Sequence, residues 1–339
     1  RHLERHHPDR LATLHVGNRQ QGVGLDREFA GLFTADRRQY VGDDIMDRLA
    51  RDTEHIEIVP FSDEQSLQAA LCETVARAAK MRDTEDVYGF ERSLGGQSNG
   101  TWVNFPPSAA KAVDNWQILS PFRNDAQSGT QTVNRLLQQR FGSARKPAGD
   151  VPGRRTTRHP LGPDGILFGE KVINIRNQKM EGYPREGCLD YVANGETGIV
   201  ERLWEKPANK RNTHQVRFSS QPEFCYNWPS QVGEESCDLE LAYALTVHKA
   251  QGSGFGNCIL ILDEPSDGTR TLVSRELIYT ALTRHADKVW ILYNKAAGEI
   301  RKYAQESASE LARRFSNLFA TPSPCDIAGE LFDADLIHR

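Results

Sequence analysis

The sequence has 339 residues, of which 38% are hydrophobic, and its 42 Lys and Arg against 46 Asp and Glu leave a formal net charge of −4. Its longest apolar runs, such as 258–262, are far too short to span a bilayer, which excludes a protein built on transmembrane helices. The six Cys residues form no C-x-x-C pair, so we expect neither a metal site nor disulfides, and a cytoplasmic location fits best. The chain opens Arg-His-Leu, without Met or an apolar leader, so we expect a piece of a longer protein.

Short, nearly continuous apolar runs alternate with amphipathic helical segments along most of the chain. Such runs are typical of strands buried on both faces of a parallel sheet, so the predicted fold class is α/β. We predict strands at 55–60, 116–120, 243–247, 257–262 and 288–293. We predict helices after a capping box at Ser62-Asp-Glu-Gln65 and at 130–141, 274–287 and 298–319.

Residues 161–234 break this alternation. They are rich in Gly, Pro and Asn, and their strand-like runs 171–176, 197–203 and 213–218 are separated by turn signals without a helical period. We therefore predict a small β-domain at 161–235, inserted between two parts of one α/β domain at 1–160 and 236–320. Residues 321–339 would begin a linker or a further domain, for which a nuclease is one candidate.

Two segments are similar to parts of ATPase sites. An apolar run leads into Asp263 and Glu264, as in strands that end in Mg²⁺-binding acids, and Ser93-Leu-Gly-Gly-Gln97 is similar to the signature of ABC-type ATPases. Such sites require a G-x-x-x-x-G-K-[ST] phosphate loop, and no segment of the sequence has this form. We therefore interpret Asp263 as the end of a core strand.

A basic run at 135–160 holds seven bases and one acid, with Gly, Pro and Ser between the charges. It fits a solvated surface loop, and it also fits a loop that faces a polyanion, because Arg and Lys neutralise nucleic-acid phosphates. Composition leaves both interpretations open.

Two segments beyond residue 240 carry the strongest functional pattern. Leu241-Ala-Tyr-Ala-Leu-Thr-Val-His-Lys-Ala-Gln-Gly-Ser253 is an apolar strand that runs into a polar loop, and ligands commonly bind beyond the carboxyl ends of such strands. Ser274-Arg-Glu-Leu-Ile-Tyr-Thr-Ala-Leu-Thr-Arg284 is a helical segment. Its final arginine lies at the edge of the apolar stripe, where a domain interface would form.

These segments resemble the two C-terminal motifs of superfamily 1 helicases of the RecD-like branch. Three further segments are similar in the same order: 14–20 resembles an arginine motif, 116–134 resembles a segment near the nucleic-acid track, and 169–198 resembles a small inserted β-barrel. The resemblance implies a RecA-like parallel-sheet domain with an inserted small β-barrel. It also implies the second motor domain of an ATP-dependent DNA helicase, with single-stranded DNA as its partner.

The resemblance also implies roles for single residues. Arginines of the second motor domain reach ATP in this family, and the catalytic positions match Arg19 and Arg284. The nucleotide-binding positions match Gln20, Gln251, Gly252 and Ser253. The positions that would contact single-stranded DNA match Thr246, His248, Lys249, Ser120, Arg123 and Asn134. Trp116 and Phe122 could stack on bases, although core packing fits both better.

ATP and Mg²⁺ are the implied cofactors of the full-length protein. This fragment alone would bind neither, because the phosphate loop belongs to an N-terminal motor domain that the sequence lacks. Negligible ATPase activity is therefore expected of these 339 residues in isolation.

Several alternatives stay open. Relatives commonly carry an acid directly after the Gln-Gly-Ser, where this chain has Gly254. That departure favours a catalytically inactive module that binds DNA or docks a partner. An interaction protein built around the inserted β-domain is a second alternative. Taken alone, Arg19 fits a surface arginine, Arg284 an intradomain salt bridge and His248 a structural histidine.

Overall fold

The computed structural model describes residues 24–34, 41–42, 44–98, 103–125, 127–142, 160–204, 212–230, 237–264 and 273–304. The helices are α1 (Leu25–Gly31), α2 (Ile45–Arg51), α3 (Glu64–Ala78), α4 (Val87–Ser93), α5 (Ala109–Ala112), α6 (Thr130–Phe141), α7 (Arg275–Leu282) and a 3₁₀ helix at Ala297–Ala304. The strands are β1 (Ile56–Pro60), β2 (Gln97–Ser98), β3 (Val103–Asn104), β4 (Trp116–Ser120), β5 (Lys171–Asn174), β6 (Gln178–Lys179), β7 (Gly182–Tyr183), β8 (Tyr191–Val192), β9 (Thr197–Trp204), β10 (Asn212–Phe218), β11 (Cys225–Ser230), β12 (Leu239–Leu241), β13 (Ala244–Thr246), β14 (Phe255–Leu262) and β15 (His285–Tyr293). None of the helices in these ranges has both the length and the apolarity that a membrane span needs.

A five-stranded sheet organises the α/β part of the chain. Its strands lie in the order β1-β15-β14-β4-β13, and every neighbouring pair is parallel. Five apolar runs predicted to be strands form this sheet, so the predicted parallel α/β core is confirmed.

Both faces of the parallel sheet are buried, and alternate residues of one strand serve opposite faces. Ile259 and Ile261 of β14 join the apolar cluster that contains helices α3 and α6. Cys258 and Leu260 join the cluster that contains α1, α2 and α7. Because side chains alternate along a strand, two-sided burial requires apolar residues at every position, and this explains the continuous runs.

The start of α3 differs from the predicted capping box by one residue. Asp63, rather than Ser62, is the N-cap: its carboxylate accepts a hydrogen bond from Ser66 N at 2.8 Å, and Ser66 Oγ accepts one from Asp63 N at 2.9 Å. The hydrogen bond from the Ser66 backbone lowers the pKa of Asp63, the result expected of a carboxylate at a helix N-terminus. Ser therefore serves at the third helical position, where the sequence pattern predicted Gln.

The helix predicted at 274–287 is shorter than expected. Helix α7 is capped by Ser274, whose hydroxyl accepts a hydrogen bond from Leu277 N at 3.3 Å, but it ends at Leu282, and β15 begins at His285. The buried His285 side chain contacts Asp26, far away in sequence, at 3.1 Å. The strand begins here because His285 pairs with Phe255 of β14. The predicted helix 298–319 is a 3₁₀ helix at Ala297–Ala304, and 305–319 lie outside the described residues.

A second, antiparallel sheet follows in the Gly- and Pro-rich stretch, with strand order β12-β5-β9-β10-β11-β7. A buried, bidentate ion pair joins its strands β9 and β10: Arg217 Nε donates to Glu201 Oε2 at 2.7 Å and Arg217 Nη2 donates to Glu201 Oε1 at 3.0 Å. In the described residues β12 and β7 remain the two edges, so closure into a barrel stays a prediction, as do the domain boundaries. Strand β12 lies beyond residue 235, where the inserted domain was predicted to end.

The two sheets meet without a linker. Only Ala242 and Tyr243 separate β12 of the antiparallel sheet from β13 of the parallel sheet. Gln117 Nε2 donates to the carbonyl oxygens of both residues at 3.0 Å. Lys171 of β5 is fully buried, and its ammonium donates to Trp116 O at 2.8 Å and lies 5.3 Å from the centre of the Trp116 ring. One apolar core therefore includes residues of both sheets, among them Ile118 and Val172.

Candidate functional site

Two of the predicted functional loops leave the carboxyl end of the parallel sheet. Strands β4 and β13 end side by side, with Ser120 paired to Thr246 in the register. Arg123 lies three residues beyond Ser120, and Lys249 lies three residues beyond Thr246. Because the strands are parallel, both loops leave the same edge, which is the usual place for ligands in such sheets.

The Gln251–Ser253 loop and the end of α7 contact each other directly. Arg284 Nη1 donates to Ser253 O at 3.1 Å, and Phe255 N donates to Arg284 O at 2.8 Å. Gly252 has a φ of +91°, which favours glycine, and nothing lies within 4 Å of the position that a Cβ would occupy. Gln251 and Gly252 are exposed, so this loop presents polar groups and open space beside Arg284.

The Arg284 guanidinium is held in a fixed orientation. Besides Ser253 O, it donates through Nε to Thr280 O at 2.9 Å and through Nη2 to Thr283 Oγ1 at 3.1 Å. At least three of its five N–H donors therefore bind the chain's own acceptors. Because these three acceptors are uncharged, the bonds orient the guanidinium without cancelling its charge.

A buried Asp–His contact lies next to Arg284. His285 Nε2 and Asp26 Oδ2 are 3.1 Å apart, and Asp26 belongs to the first turn of α1. Burial alone would raise the pKa of Asp26, but the hydrogen bond and charge of His285 outweigh it and hold the pKa below its ordinary value. The contact ties the start of α1 to the chain beside Arg284. Arg19 and Gln20, which precede α1, lie outside the described residues.

The carboxylate of Glu240 forms ion pairs with two of the residues that are predicted to contact single-stranded DNA. Arg123 Nη2 donates to Glu240 Oε1 at 2.9 Å, and Lys249 Nζ donates to Glu240 Oε2 at 2.7 Å. Thr246 is half-buried and its hydroxyl accepts from Lys249 N at 3.3 Å, whereas His248 is exposed. Glu240 was not among the predicted site residues. Its only signal was an acid between two apolar residues of a strand.

Ser120 and Asn134 serve the backbone instead of facing solvent. Ser120 is fully buried, donates to Ser128 O at 2.7 Å and accepts from Phe122 N at 3.1 Å. The Asn134 amide donates to Leu241 O and Ala244 O, both at 3.0 Å, and accepts from Ala244 N at 2.7 Å. Internal bonds thus occupy both side chains, and their contact with single-stranded DNA stays a prediction.

Core packing accounts for Trp116, and internal bonds account for the acids after β14. Trp116 is fully buried and its indole donates to Ser93 Oγ at 2.9 Å. Strand β14 ends at Leu262, and Asp263 accepts from Asn294 Nδ2 at 2.8 Å. Glu264 accepts hydrogen bonds from the hydroxyls of Tyr293 and Tyr303 and from Lys302. The described residues contain no group of three or more His, Cys, Asp or Glu side chains placed to hold a metal ion.

Comparison with known proteins gives a match in the same part of the chain. Residues 241–292 match the model of the UvrD-like helicase C-terminal domain. The matched segment contains Thr246, His248, Lys249, the Gln251–Ser253 loop and Arg284.

Three curated proteins illustrate the relationship. The chain is 38% identical over 90 residues to the ATP-dependent RecD2 DNA helicase of Deinococcus radiodurans, a match that covers 26% of this chain and 12% of the relative. It is 33% identical over 128 residues to the RecBCD enzyme subunit RecD of Buchnera aphidicola subsp. Schizaphis graminum, covering 38% and 18%. It is 29% identical over 211 residues to an uncharacterized protein of Methanocaldococcus jannaschii, covering 60% and 17%.

The chain thus spans less than a fifth of the length of these relatives. The predicted resemblance is nevertheless confirmed: the chain is similar to RecD-type helicases, and its residues 241–292 match the UvrD-like helicase C-terminal domain.

Proposed function

We propose that this chain is the C-terminal motor half of an ATP-dependent DNA helicase. One observation carries the proposal: the hydrogen bond from Arg284 to Ser253 O joins the two helicase-like segments directly before the amino ends of the parallel strands β14 and β15. The nucleotide is then bound beside Arg284, at the amino ends of β14 and β15, and single-stranded DNA beside Thr246, at the carboxyl ends of β4 and β13. The RecA-like identity of the domain and the closure of the inserted sheet into a barrel belong to the same proposal.

The residues on the nucleotide side fit a triphosphate. Arg284 carries a permanent charge and forked donors that match phosphate oxygens, and the open space at Gly252 lets the backbone approach a ligand closely. ATP supplies the phosphoryl group, and Arg284, with Arg19, stabilises charge that develops on it. The phosphate loop and the Mg²⁺ ligands come from another domain, since the sequence contains no G-x-x-x-x-G-K-[ST] segment.

The residues on the strand side are donors to phosphate oxygens. Thr246, His248, Lys249 and Arg123 offer hydroxyl, imidazole, ammonium and guanidinium groups at the ends of two neighbouring strands. Ser120 and Asn134 act one step back, as positioning residues that hold the backbone of these loops.

Arg284 provides the test of the nucleotide side. In the full-length protein, Arg284→Ala is expected to lower kcat for DNA-stimulated ATP hydrolysis by about 100-fold or more, because a preorganised donor at developing charge is lost. Binding of single-stranded DNA should stay near the wild-type affinity. Arg185→Ala, which removes an exposed arginine from the loop after β7, is the matched control. Unchanged hydrolysis in Arg284→Ala would contradict the proposed role.

Gly254 favours a second candidate, a helicase-like module without catalysis. A Cβ at Gly254 would meet only Arg284 O, at 4.0 Å, so the acid that relatives carry there would fit sterically. If the full-length protein binds single-stranded DNA but hydrolyses no ATP, the module is the correct assignment. Hydrolysis by the wild-type protein would exclude it.

A further inference from the structure

The contact between Glu240, Arg123 and Lys249 has an unusual form for a site proposed to bind an anion. One carboxylate gives each of its two oxygens to a different cation, at 2.9 Å for Arg123 and 2.7 Å for Lys249. About half of the Arg123 side chain and 30% of the Lys249 side chain are exposed, as is 22% of Glu240. The cations that would hold a DNA phosphate thus already hold an anion, and that anion is within reach of solvent.

Few bonds oppose the release of this carboxylate. In the described part of the chain, Glu240 is the one charged partner of the Arg123 guanidinium and of the Lys249 ammonium. Ion pairs of such exposure are individually weak. Leu239 and Leu241 on either side are buried and hold β12 in the sheet, so the strand does not depend on the Glu240 side chain.

A phosphodiester can replace the carboxylate in this contact. Both groups present two anionic oxygens on one central atom, and a guanidinium fork and an ammonium bind either of them. The phosphodiester belongs to a polymer whose other phosphates can contact Thr246 and His248 at the same edge, an advantage that Glu240 lacks.

We propose that Arg123 and Lys249 form a subsite for one backbone phosphate of single-stranded nucleic acid, and that Glu240 competes with that phosphate for the site. The inference rests on the proposed contact with single-stranded DNA, and it adds a way in which that contact is regulated. Glu240 weakens binding of any single anion, so the subsite selects polymeric phosphate over small anions. A change that withdraws Glu240 from the two cations raises affinity for the strand.

The structure offers a matched control for this inference. Glu57 lies on β1, the lateral edge strand farthest from β13 in the parallel sheet. It also bridges an arginine and a lysine, Arg77 and Lys288. Glu57→Gln therefore changes the net charge by the same amount and breaks the same kind of contact, but away from the proposed strand track.

The experiment measures binding of a fluorescein-labelled oligothymidylate to the 339-residue chain by anisotropy across a series of KCl concentrations. Glu240→Gln is expected to tighten binding about five-fold at low salt and to steepen the slope of log K against log salt by about 0.7, the value for one added phosphate contact. Glu57→Gln should bind like wild type. Inorganic phosphate as competitor should displace the oligonucleotide poorly from wild type and better from Glu240→Gln.

Arg123→Ala and Lys249→Ala separate the failure of this inference from that of the proposed function. If both bind the oligonucleotide as tightly as wild type, the proposed contact with single-stranded DNA is wrong, and so is the proposed competition by Glu240. If both weaken binding while Glu240→Gln fails to tighten it, only the competition is wrong. An equal gain from Glu57→Gln, or an undiminished gain from Glu240→Gln in a Lys249→Ala background, would also overturn it. Thermal melts verify the fold, and Glu240→Thr, suited to a strand, replaces Glu240→Gln if that variant melts early.

Discussion

Two clusters of one glutamate, one arginine and one lysine lie in different settings, one on β1 of the parallel sheet and one where the antiparallel sheet meets the loops after β4 and β13. At β1, Glu57 accepts two hydrogen bonds from Arg77 and one from Lys288. The two cations also lie over the ring of Trp290, at 5.5 Å and 5.0 Å from its centre. On β12, Glu240 accepts one bond from each cation, and no ring contact holds either cation in the described residues.

The difference shows what separates a charge cluster that stabilises the fold from one that is available for binding: the number of contacts that hold each cation. Each cation of the Glu57 cluster has a second contact, so losing one bond leaves the group in place. Burial alone would raise the pKa of Glu57, but hydrogen bonds from Arg77 and Lys288 outweigh it and keep the pKa below its ordinary value. The Glu240 cluster depends on single bonds, and its members can exchange partners.

A third Arg–Glu contact is buried, and breaking it is expected to cost the most stability of the three. Arg217 and Glu201 are both buried and form two parallel hydrogen bonds. Arg217→Met is expected to destabilise the fold by about 3–5 kcal/mol, because it leaves Glu201 as an unpaired buried charge. Urea denaturation measures the effect. Arg217→Met combined with Glu201→Leu should recover much of the loss, and a single variant as stable as wild type would contradict this account.

Lys171 is a buried cation without a carboxylate partner in the described part of the chain, and it should make the free energy of unfolding depend on pH. Burial lowers the pKa of Lys171 to about 8, and no carboxylate in the described residues forms a salt bridge with it. Between about pH 8 and 10.5 the unfolded chain binds more protons than the folded chain, so the free energy of unfolding should rise with pH across this window. Lys171→Met should remove this rise and stabilise the fold at pH 7 by about 1–3 kcal/mol. Urea titrations of both proteins at several pH values check the slope, and an unchanged slope in the variant would refute the assignment.

The smallest expected effect is the difference in stability between variants of Glu57 and Glu240. Glu57→Gln should lower the free energy of unfolding by about 0.5–1 kcal/mol, whereas Glu240→Gln should change it by less than about 0.5 kcal/mol, because fewer contacts depend on the carboxylate. Parallel urea titrations at one ionic strength give both values. A larger loss from Glu240→Gln would make that cluster structural and would weaken the case for exchange.

The parallel sheet could be predicted from the sequence because two-sided burial leaves a local mark, a continuous apolar run in each strand. The end of α7 could not, since β15 begins at His285 by pairing with β14, a separate element. Local patterns predicted the positions of Thr246, His248 and Lys249 at the sheet edge. They did not reveal that Asn134 uses its amide on residues 241 and 244, or that Glu240 bridges Arg123 and Lys249, because those contacts cross between separate elements.

The two-residue passage between β12 and β13 has a mechanical consequence. Gln117 and Asn134 clamp the backbone at 241–244, so this passage cannot stretch or rotate freely. A displacement of β12 relative to β13 would therefore have to break the hydrogen bonds of Gln117 and Asn134. Glu240 precedes this passage and Lys249 follows it, so their ion pair is a second connection between the two sheets, in addition to the backbone.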